Sequence, residues 1–112
     1  MDERTEKYLG DILAAIIEVT EETDLRGRKF EALCSDRVYL RFIERNIGII
    51  GEAMNQVLKR FPEVEITSAR QIVNTRNLVI HSYDSLDKEI LWAIVIKHLP
   101  VLKKEVIKLL NQ

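Results

Sequence analysis

The sequence has few of the residues that interrupt regular structure or cross-link a chain. Its 112 residues include only four Gly, two Pro and one Cys. Few Gly and Pro residues favour long helices over short strands joined by tight turns. The single cysteine, Cys34, excludes an internal disulfide framework and fits a reducing cytoplasm. We expect it to be a small buried hydrophobe.

The sequence also lacks a strong charge excess and a long apolar run. Its 17 Lys and Arg residues balance 18 Asp and Glu residues, which does not indicate a strongly basic nucleic-acid binder. The longest apolar run, Ile90 to Ile96, is much shorter than the roughly 18 residues of a membrane span. Acidic residues follow Met1 where a secretory signal would be basic and then apolar. We therefore expect one cytoplasmic domain over residues 1–112, without a membrane segment.

What the sequence does contain is apolar residues at steps of three and four, the period of an amphipathic helix. The strongest pattern predicts a helix over about residues 36–60 that Ser35 or Asp36 caps and Pro62 ends. A second pattern predicts a helix over about residues 3–22, and a short helical turn is expected between the two. The predicted core positions are Leu9, Ile12, Leu13, Ile16 and Val19 in one helix and Tyr39, Ile43, Ile47, Ile50, Met54, Val57 and Phe61 in the other.

Two further helices are predicted in the second half of the chain. A Thr-Ser pair at 67–68 fits the N-cap of the third helix, and an Asp-Ser pair at 84–85 fits that of the fourth. Pro100 is expected to kink the fourth helix near His98 or Leu99. The fourth helix carries Ile90, Leu91, Ile94, Val95, Val101, Leu102, Ile107 and Leu110. Short connections make the expected fold all-α, an antiparallel bundle of four to five helices.

Two glycines, Gly48 and Gly51, lie inside the predicted helix over residues 36–60. Each destabilises a helix by about 1 kcal/mol relative to Ala. We therefore expect a close contact with another helix at these positions.

The segment 76–83, Arg-Asn-Leu-Val-Ile-His-Ser-Tyr, holds the residues best suited to chemistry. A histidine can transfer a proton near neutral pH, and an arginine can hold a phosphate through two parallel hydrogen bonds. RNA cleavage needs a base for the 2′-hydroxyl and positive charge near the phosphorane oxygens. Arg76 and His81 could supply both without a metal. The two His and one Cys form no close-spaced zinc motif, and we expect no cofactor.

The residues alone leave a structural interpretation open. On an ideal helix Arg76 and His81 point about 140° apart, so they share a site only if the helix ends near His81 or a second subunit completes the site. Otherwise His81 is a histidine at a helix end, Arg76 a salt-bridge partner and Tyr83 an aromatic at the rim. His98 is expected to be structural.

The Arg-x4-His-x-Tyr motif at 76–83 does not stand alone. With the segment 45–53, Arg-Asn-Ile-Gly-Ile-Ile-Gly-Glu-Ala, with Trp92 and with the Leu-Pro pair at 99–100, it resembles the HepT-like branch of the HEPN superfamily. The resemblance covers nearly the whole chain. It implies an all-helical homodimer of the HEPN type, a ribonuclease toxin of a prokaryotic toxin–antitoxin pair that cuts RNA without a metal. The chain departs from many relatives in lacking a Trp shortly before the motif and in having Asp84 directly after its Tyr.

The resemblance also implies roles for the motif residues. His81 would be the general base or acid, Arg76 would stabilise the phosphate, and Asn77 would help to orient the site. The motifs of two subunits would meet at the dimer interface. The partner would be an MNT-type nucleotidyltransferase antitoxin that transfers AMP to Tyr83, where the added negative charge repels RNA.

Other polar residues on the predicted helix over 36–60 have two interpretations each. Glu52 could orient Arg76 or Arg45, or compensate a buried charge. Arg37, Arg41 and Arg45 are spaced by four and could follow RNA phosphates, or form a solvated face paired with acidic residues such as Glu44. A rival function is a non-catalytic helical dimer that binds a nucleotide, RNA or a nucleotidyltransferase.

Overall fold

The computed structural model describes residues 1–81 and 87–112, with the backbone alone for residues 76–81. Every regular element in this part of the chain is helical, which confirms the predicted all-α bundle. The elements are α1 (Glu3–Leu25), α2 (Phe30–Ser35), α3 (Arg37–Arg60), α4 (Ala69–His81), α5 (Lys88–Ala93) and α6 (Leu99–Leu110), with a π-helical turn (Ile94–His98) between the last two.

The two longest helices, α1 and α3, run antiparallel and form the centre of the bundle. Near one end, Thr23 of α1 shares a buried 2.6 Å hydrogen bond with the Tyr39 hydroxyl of α3. Near the other end, Oδ2 of Asp2 lies 3.6 Å from Nη1 of Arg60. The apolar stripes of α1, α3 and α6 meet in one core. The predicted positions that are buried there are Leu9, Ile12, Ile16, Val19, Tyr39, Ile43, Ile47, Ile50, Met54 and Val57.

The helix starts follow from local carboxylates. The Asp36 side chain accepts a 3.0 Å hydrogen bond from the Tyr39 backbone N–H, which confirms Asp36 as the cap of α3. The predicted cap of the fourth helix is wrong. Asp87, not the pair at 84–85, precedes α5, and it accepts from the Glu89 N–H at 2.9 Å. The pair at 84–85 lies outside the described residues, and the Asp87 carboxylate satisfies the free N–H of the second residue of α5.

Pro100 changes the last helix at the predicted place without ending it. The Leu99 N–H donates to the Ile94 carbonyl, five residues earlier, and this bond closes the π-helical turn. Proline has no N–H, and in a regular helix its ring would collide with the carbonyl four residues before it. The wider turn removes that collision, so α6 continues with Pro100 in its first turn.

The predicted apolar face of the last helix is wrong at three positions. Ile90, Val101 and Ile107 are 51%, 49% and 38% exposed. The buried residues Leu91, Val95 and Leu99 are four apart and continue into α6 on one face, and the three exposed residues lie off that face. The buried positions of α6 are Leu99, Leu102, Val106 and Leu109.

Two other expectations from the sequence are wrong. Cys34 is exposed rather than buried, because the short helix α2 buries only Leu33. The expected close contact with another helix is absent at Gly48, where an added Cβ would meet no described atom within 4 Å. Gly48 faces an open cleft, whereas Gly51 is buried.

Candidate active site

Three of the motif residues, Arg76, Asn77 and His81, lie on α4, which packs along α3. The side chains of these three residues, and Tyr83 as a whole, lie outside what the structure describes.

On α3, Glu52 is half-buried and points to the side of the bundle shared with α1. Its Oε1 accepts a 3.3 Å hydrogen bond from Nε2 of Gln56, one turn further along. The carboxylate contributes to the wall of a cleft between α1 and α3.

This α1/α3 cleft has a volume of about 840 Å³. The α1 wall carries the acidic residues Asp11 and Glu18, and the α3 wall carries basic Arg41 and Arg45 along with acidic residues. Small residues keep the floor open, among them Ala14, Ala15, Gly48 and Ala53. Beside them Ile49 is 41% exposed, an apolar surface inside a polar rim.

The three arginines predicted as RNA contacts have different surroundings. Arg41 forms a 2.8 Å ion pair with Glu44, as the solvated-face interpretation predicts. No ion pair joins Arg37 or Arg45 to another residue in the described ranges. The cleft includes Arg41 and Arg45 but not Arg37. Arg45 is therefore the best-placed cation for a second molecule at the cleft.

A second cleft, of about 370 Å³, separates α4 from the C-terminal helices. His98 lines it opposite Thr75, the residue directly before Arg76. The His98 residue as a whole is exposed.

No local sequence pattern predicts one polar contact near the start of α4. Glu105 of α6 accepts two hydrogen bonds from Thr67 on Oε2, one from the backbone N–H and one from the Oγ1 hydroxyl, each of 2.9 Å. Ser68 follows with a φ of 64° and leads into α4. A side chain of the last helix thus holds the chain directly before the motif helix.

The strongest electrostatic cluster lies away from α4, at the corner of α1 and α3. Arg26 stacks 4.5 Å from the centre of the Tyr39 ring and bonds Asp36 at 3.2 Å. The backbone N–H of Tyr39, followed by Arg26, lowers the pKa of the Asp36 carboxyl. Burial raises the pKa of the Tyr39 phenol. The cluster stabilises the start of α3 and contains no group that titrates near neutral pH.

Residues 1–81 and 87–112 have neither of two further features, a metal-binding cluster or a membrane-spanning helix. No group of three or more His, Cys, Asp or Glu side chains in these ranges could hold a metal ion. None of the helices described there is both long and apolar enough to cross a membrane.

Known proteins resemble the chain along almost its whole length. Residues 6–109 match the family described as Ribonuclease HepT-like. The chain is 33% identical over 106 residues to "Probable ribonuclease HepT" of Thermococcus cleftensis, a match that covers 91% of this chain and 92% of that protein. It is 32% identical over 106 residues to "Putative RNase MJ1380" of Methanocaldococcus jannaschii, covering 88% and 90%. It is also 32% identical over 89 residues to "Putative RNase TTE0752" of Caldanaerobacter subterraneus, covering 79% and 80%. No solved structure matches the chain.

Proposed function

Because the chain belongs to the Ribonuclease HepT-like family, we propose that it is a metal-independent endoribonuclease, the toxin of a prokaryotic HEPN/MNT toxin–antitoxin pair. Family membership supports ribonuclease activity. The observation that carries the finer proposal is the complete Arg-x4-His-x-Tyr motif at 76–83, whose Arg and His both lie on α4.

In the proposed reaction, His81 removes the proton of a ribose 2′-hydroxyl. The 2′-oxygen attacks the adjacent phosphorus, the bond to the 5′-oxygen breaks, and a 2′,3′-cyclic phosphate remains. A second imidazolium, His81 of another copy, protonates the leaving 5′-oxygen. Arg76 holds the non-bridging oxygens as charge develops on the phosphorane.

The need for a second histidine makes the active form a homodimer. The α1/α3 cleft supports this part of the proposal, because its walls carry charges of opposite sign and its floor exposes Gly48 and Ile49. A two-fold interface places the same surface of each copy against the other, so such a surface must complement itself. We expect Arg45→Glu to give monomers at concentrations where the wild type and Arg45→Lys are dimers, as measured by sedimentation.

The proposed control of the toxin is a modification of Tyr83. The MNT-type antitoxin would join the tyrosine oxygen to the α-phosphate of ATP and release pyrophosphate. The new phosphodiester brings bulk and negative charge two residues from His81, where it repels an RNA phosphate. Incubation with ATP and the antitoxin should add AMP to the wild type but not to Tyr83→Phe, as read by mass spectrometry of intact protein.

The deciding experiment is cleavage of a defined single-stranded RNA in EDTA. The unmodified wild type is compared with His81→Ala and with the control His98→Ala, which changes the only other histidine. We expect His81→Ala to lose about 100-fold or more in rate at unchanged circular dichroism, since it lacks the general base. The products should end in cyclic phosphate or 3′-phosphate.

Three results would contradict the proposal. Equal cleavage by the wild type and His81→Ala would identify a contaminating nuclease. Cleavage that EDTA abolishes would exclude the metal-independent mechanism. No cleavage by protein that mass spectrometry shows to be unmodified would favour a binding function.

A further inference from the structure

The chain enters the motif helix through a turn that needs outside support. Ser68 has a φ of 64°, a left-handed conformation that is unfavourable for a residue with a Cβ. Directly before it, both the N–H and the hydroxyl of Thr67 donate to one oxygen of Glu105. The two residues are 38 apart in sequence. A carboxylate of α6 therefore fixes the backbone where α4 begins.

Glu105 is half-buried on α6. It lies between Leu102 and Val106, which α6 buries in the core. Its other oxygen, Oε1, is shielded from solvent and has no hydrogen-bond partner among the described residues. Burial of such an oxygen is unfavourable, so the side chain keeps this position only because its backbone is fixed and Oε2 is satisfied.

Elsewhere α4 faces the C-terminal helices across open space. Gln71 and Thr75 line one side of the second cleft, and Ile94 and His98 line the other. Glu105 and Thr67 line a separate pocket, next to the residue at which α4 begins. Their contact joins α4 to α6 by hydrogen bonds, whereas α3 supports α4 by packing.

A change at the start of a rigid helix is amplified at its end. The 13 residues of α4 rise by about 1.5 Å each, so a tilt of about 10° at Ala69 displaces His81 by roughly 3 Å. Displacements of about 1 Å at reacting groups already lower rates substantially. The position of Arg76 and His81 thus depends on where α4 begins.

We propose that Glu105 is a positioning residue for RNA cleavage, which sets the placement of α4 through Thr67. This role depends on the function proposed above. In this role Glu105 does not touch the substrate. Its Oε2 acts as a hydrogen-bond acceptor for Thr67, and the negative charge of the carboxylate is not required. The conservative variant Glu105→Gln keeps an oxygen acceptor for both Thr67 donors, whereas Glu105→Ala removes it.

The experiment compares cleavage by wild type, Glu105→Ala, Glu105→Gln and the control Thr23→Val. The control breaks a buried hydrogen bond between α1 and α3, away from α4. Assays are run well below the lowest Tm of the set, so that every variant is folded. We expect Glu105→Ala to lose about tenfold or more in kcat with KM changed less than about threefold, because geometry and not binding is altered. Glu105→Gln and Thr23→Val should stay within about threefold of the wild type.

Two cleavage results would overturn the proposal. If Glu105→Ala cuts as fast as Thr23→Val, α4 does not need the contact. If Glu105→Gln is as slow as Glu105→Ala, the charge acts and not the hydrogen-bonded position.

Hydrogen exchange separates this proposal from the proposed function. In Glu105→Ala the backbone amides of residues 72–81 should exchange faster, while in Thr23→Val the change should stay at the corner of α1 and α3. This measurement needs no activity. If the wild type cuts no RNA, faster exchange in α4 still supports the role of Glu105 in placing the helix. Unchanged exchange in α4 refutes that role whether or not the protein is a ribonuclease.

Discussion

Replacement of two helical glycines by alanine tests both the packing of the monomer and the proposed dimer. Gly10 lies within α1 and Gly48 within α3. At either position an added Cβ would meet no described atom within 4 Å, and neither residue has a positive φ. The methyl group therefore has room and a backbone that any residue adopts.

The expected magnitude follows from helix propensity. Alanine is favoured over glycine inside a helix by about 0.8–1.0 kcal/mol. For a domain of this size, a gain of 1 kcal/mol raises Tm by roughly 4 °C. Gly10→Ala and Gly48→Ala should therefore each stabilise the isolated chain by about 1 kcal/mol and raise its Tm by roughly 4 °C.

The two variants differ if a second copy occupies the α1/α3 cleft. Gly48 lines that cleft and Gly10 does not. The assay is thermal unfolding by circular dichroism over a wide range of protein concentration, with sedimentation on the same samples. Gly10→Ala should raise Tm at every concentration. Gly48→Ala should raise it only in dilute solution and lower it where the wild type is dimeric, because its methyl group enters the interface.

Each half of this reasoning can fail separately. If Gly10→Ala does not raise Tm, a methyl group at this position does not fit without a clash, and the inference of free space there is wrong. If the two variants respond identically at all concentrations and both remain dimers, the cleft is not the interface.

Three further predictions test other parts of the structure. Thr23→Val should lose about 1–3 kcal/mol in urea unfolding because it leaves the Tyr39 hydroxyl buried and unpaired, and adding Tyr39→Phe should recover part of that loss. Hydrogen bonds lower the pKa of the Asp36 carboxyl below its usual value near 3.8. Its ionised form should therefore stabilise the fold at pH values above 3.8, and this stabilisation should be lost as the pH falls through the lowered pKa. Asp36→Asn should flatten this acidic limb in thermal unfolding, and an unchanged limb would refute the assignment. Arg37→Gln, outside the α1/α3 cleft, should lower the slope of log K for RNA binding against log salt by about 0.7, and an equal slope would show that Arg37 does not contact RNA phosphates.

The sequence predicted the central helices well because local rules determine them. The apolar steps of three and four identify the buried face of α3, Asp36 provides its cap, and Pro62 forbids its continuation. Each of these effects acts within about one helical turn. The predicted range 36–60 therefore differs little from the observed Arg37–Arg60.

The errors arose where a helix has apolar residues on more than one face or where structure depends on distant neighbours. Ile90 and Val101 are exposed and Leu91 and Leu102 are buried, and the apolar spacing alone does not tell these two faces of the last helix apart. The exposure of Cys34 depends on how little of the short helix α2 is covered. The contact between Thr67 and Glu105 joins residues that no helical period relates. Composition and spacing contain no information on such pairs.

The motif helix is the element that the sequence determines least through local rules. Of its 13 residues, Ile72, Val73, Thr75, Val79 and Ile80 are β-branched, a class with lower helix propensity. A helix of this length is marginal in isolation. Its geometry must therefore come from packing against α3 and from the fixed start at Thr67. The proposed catalytic groups on this helix would therefore be sensitive to residues that never contact RNA. Substitutions of α6 residues that support α4 should alter cleavage more than equally destabilising substitutions of α1 residues outside the α1/α3 cleft.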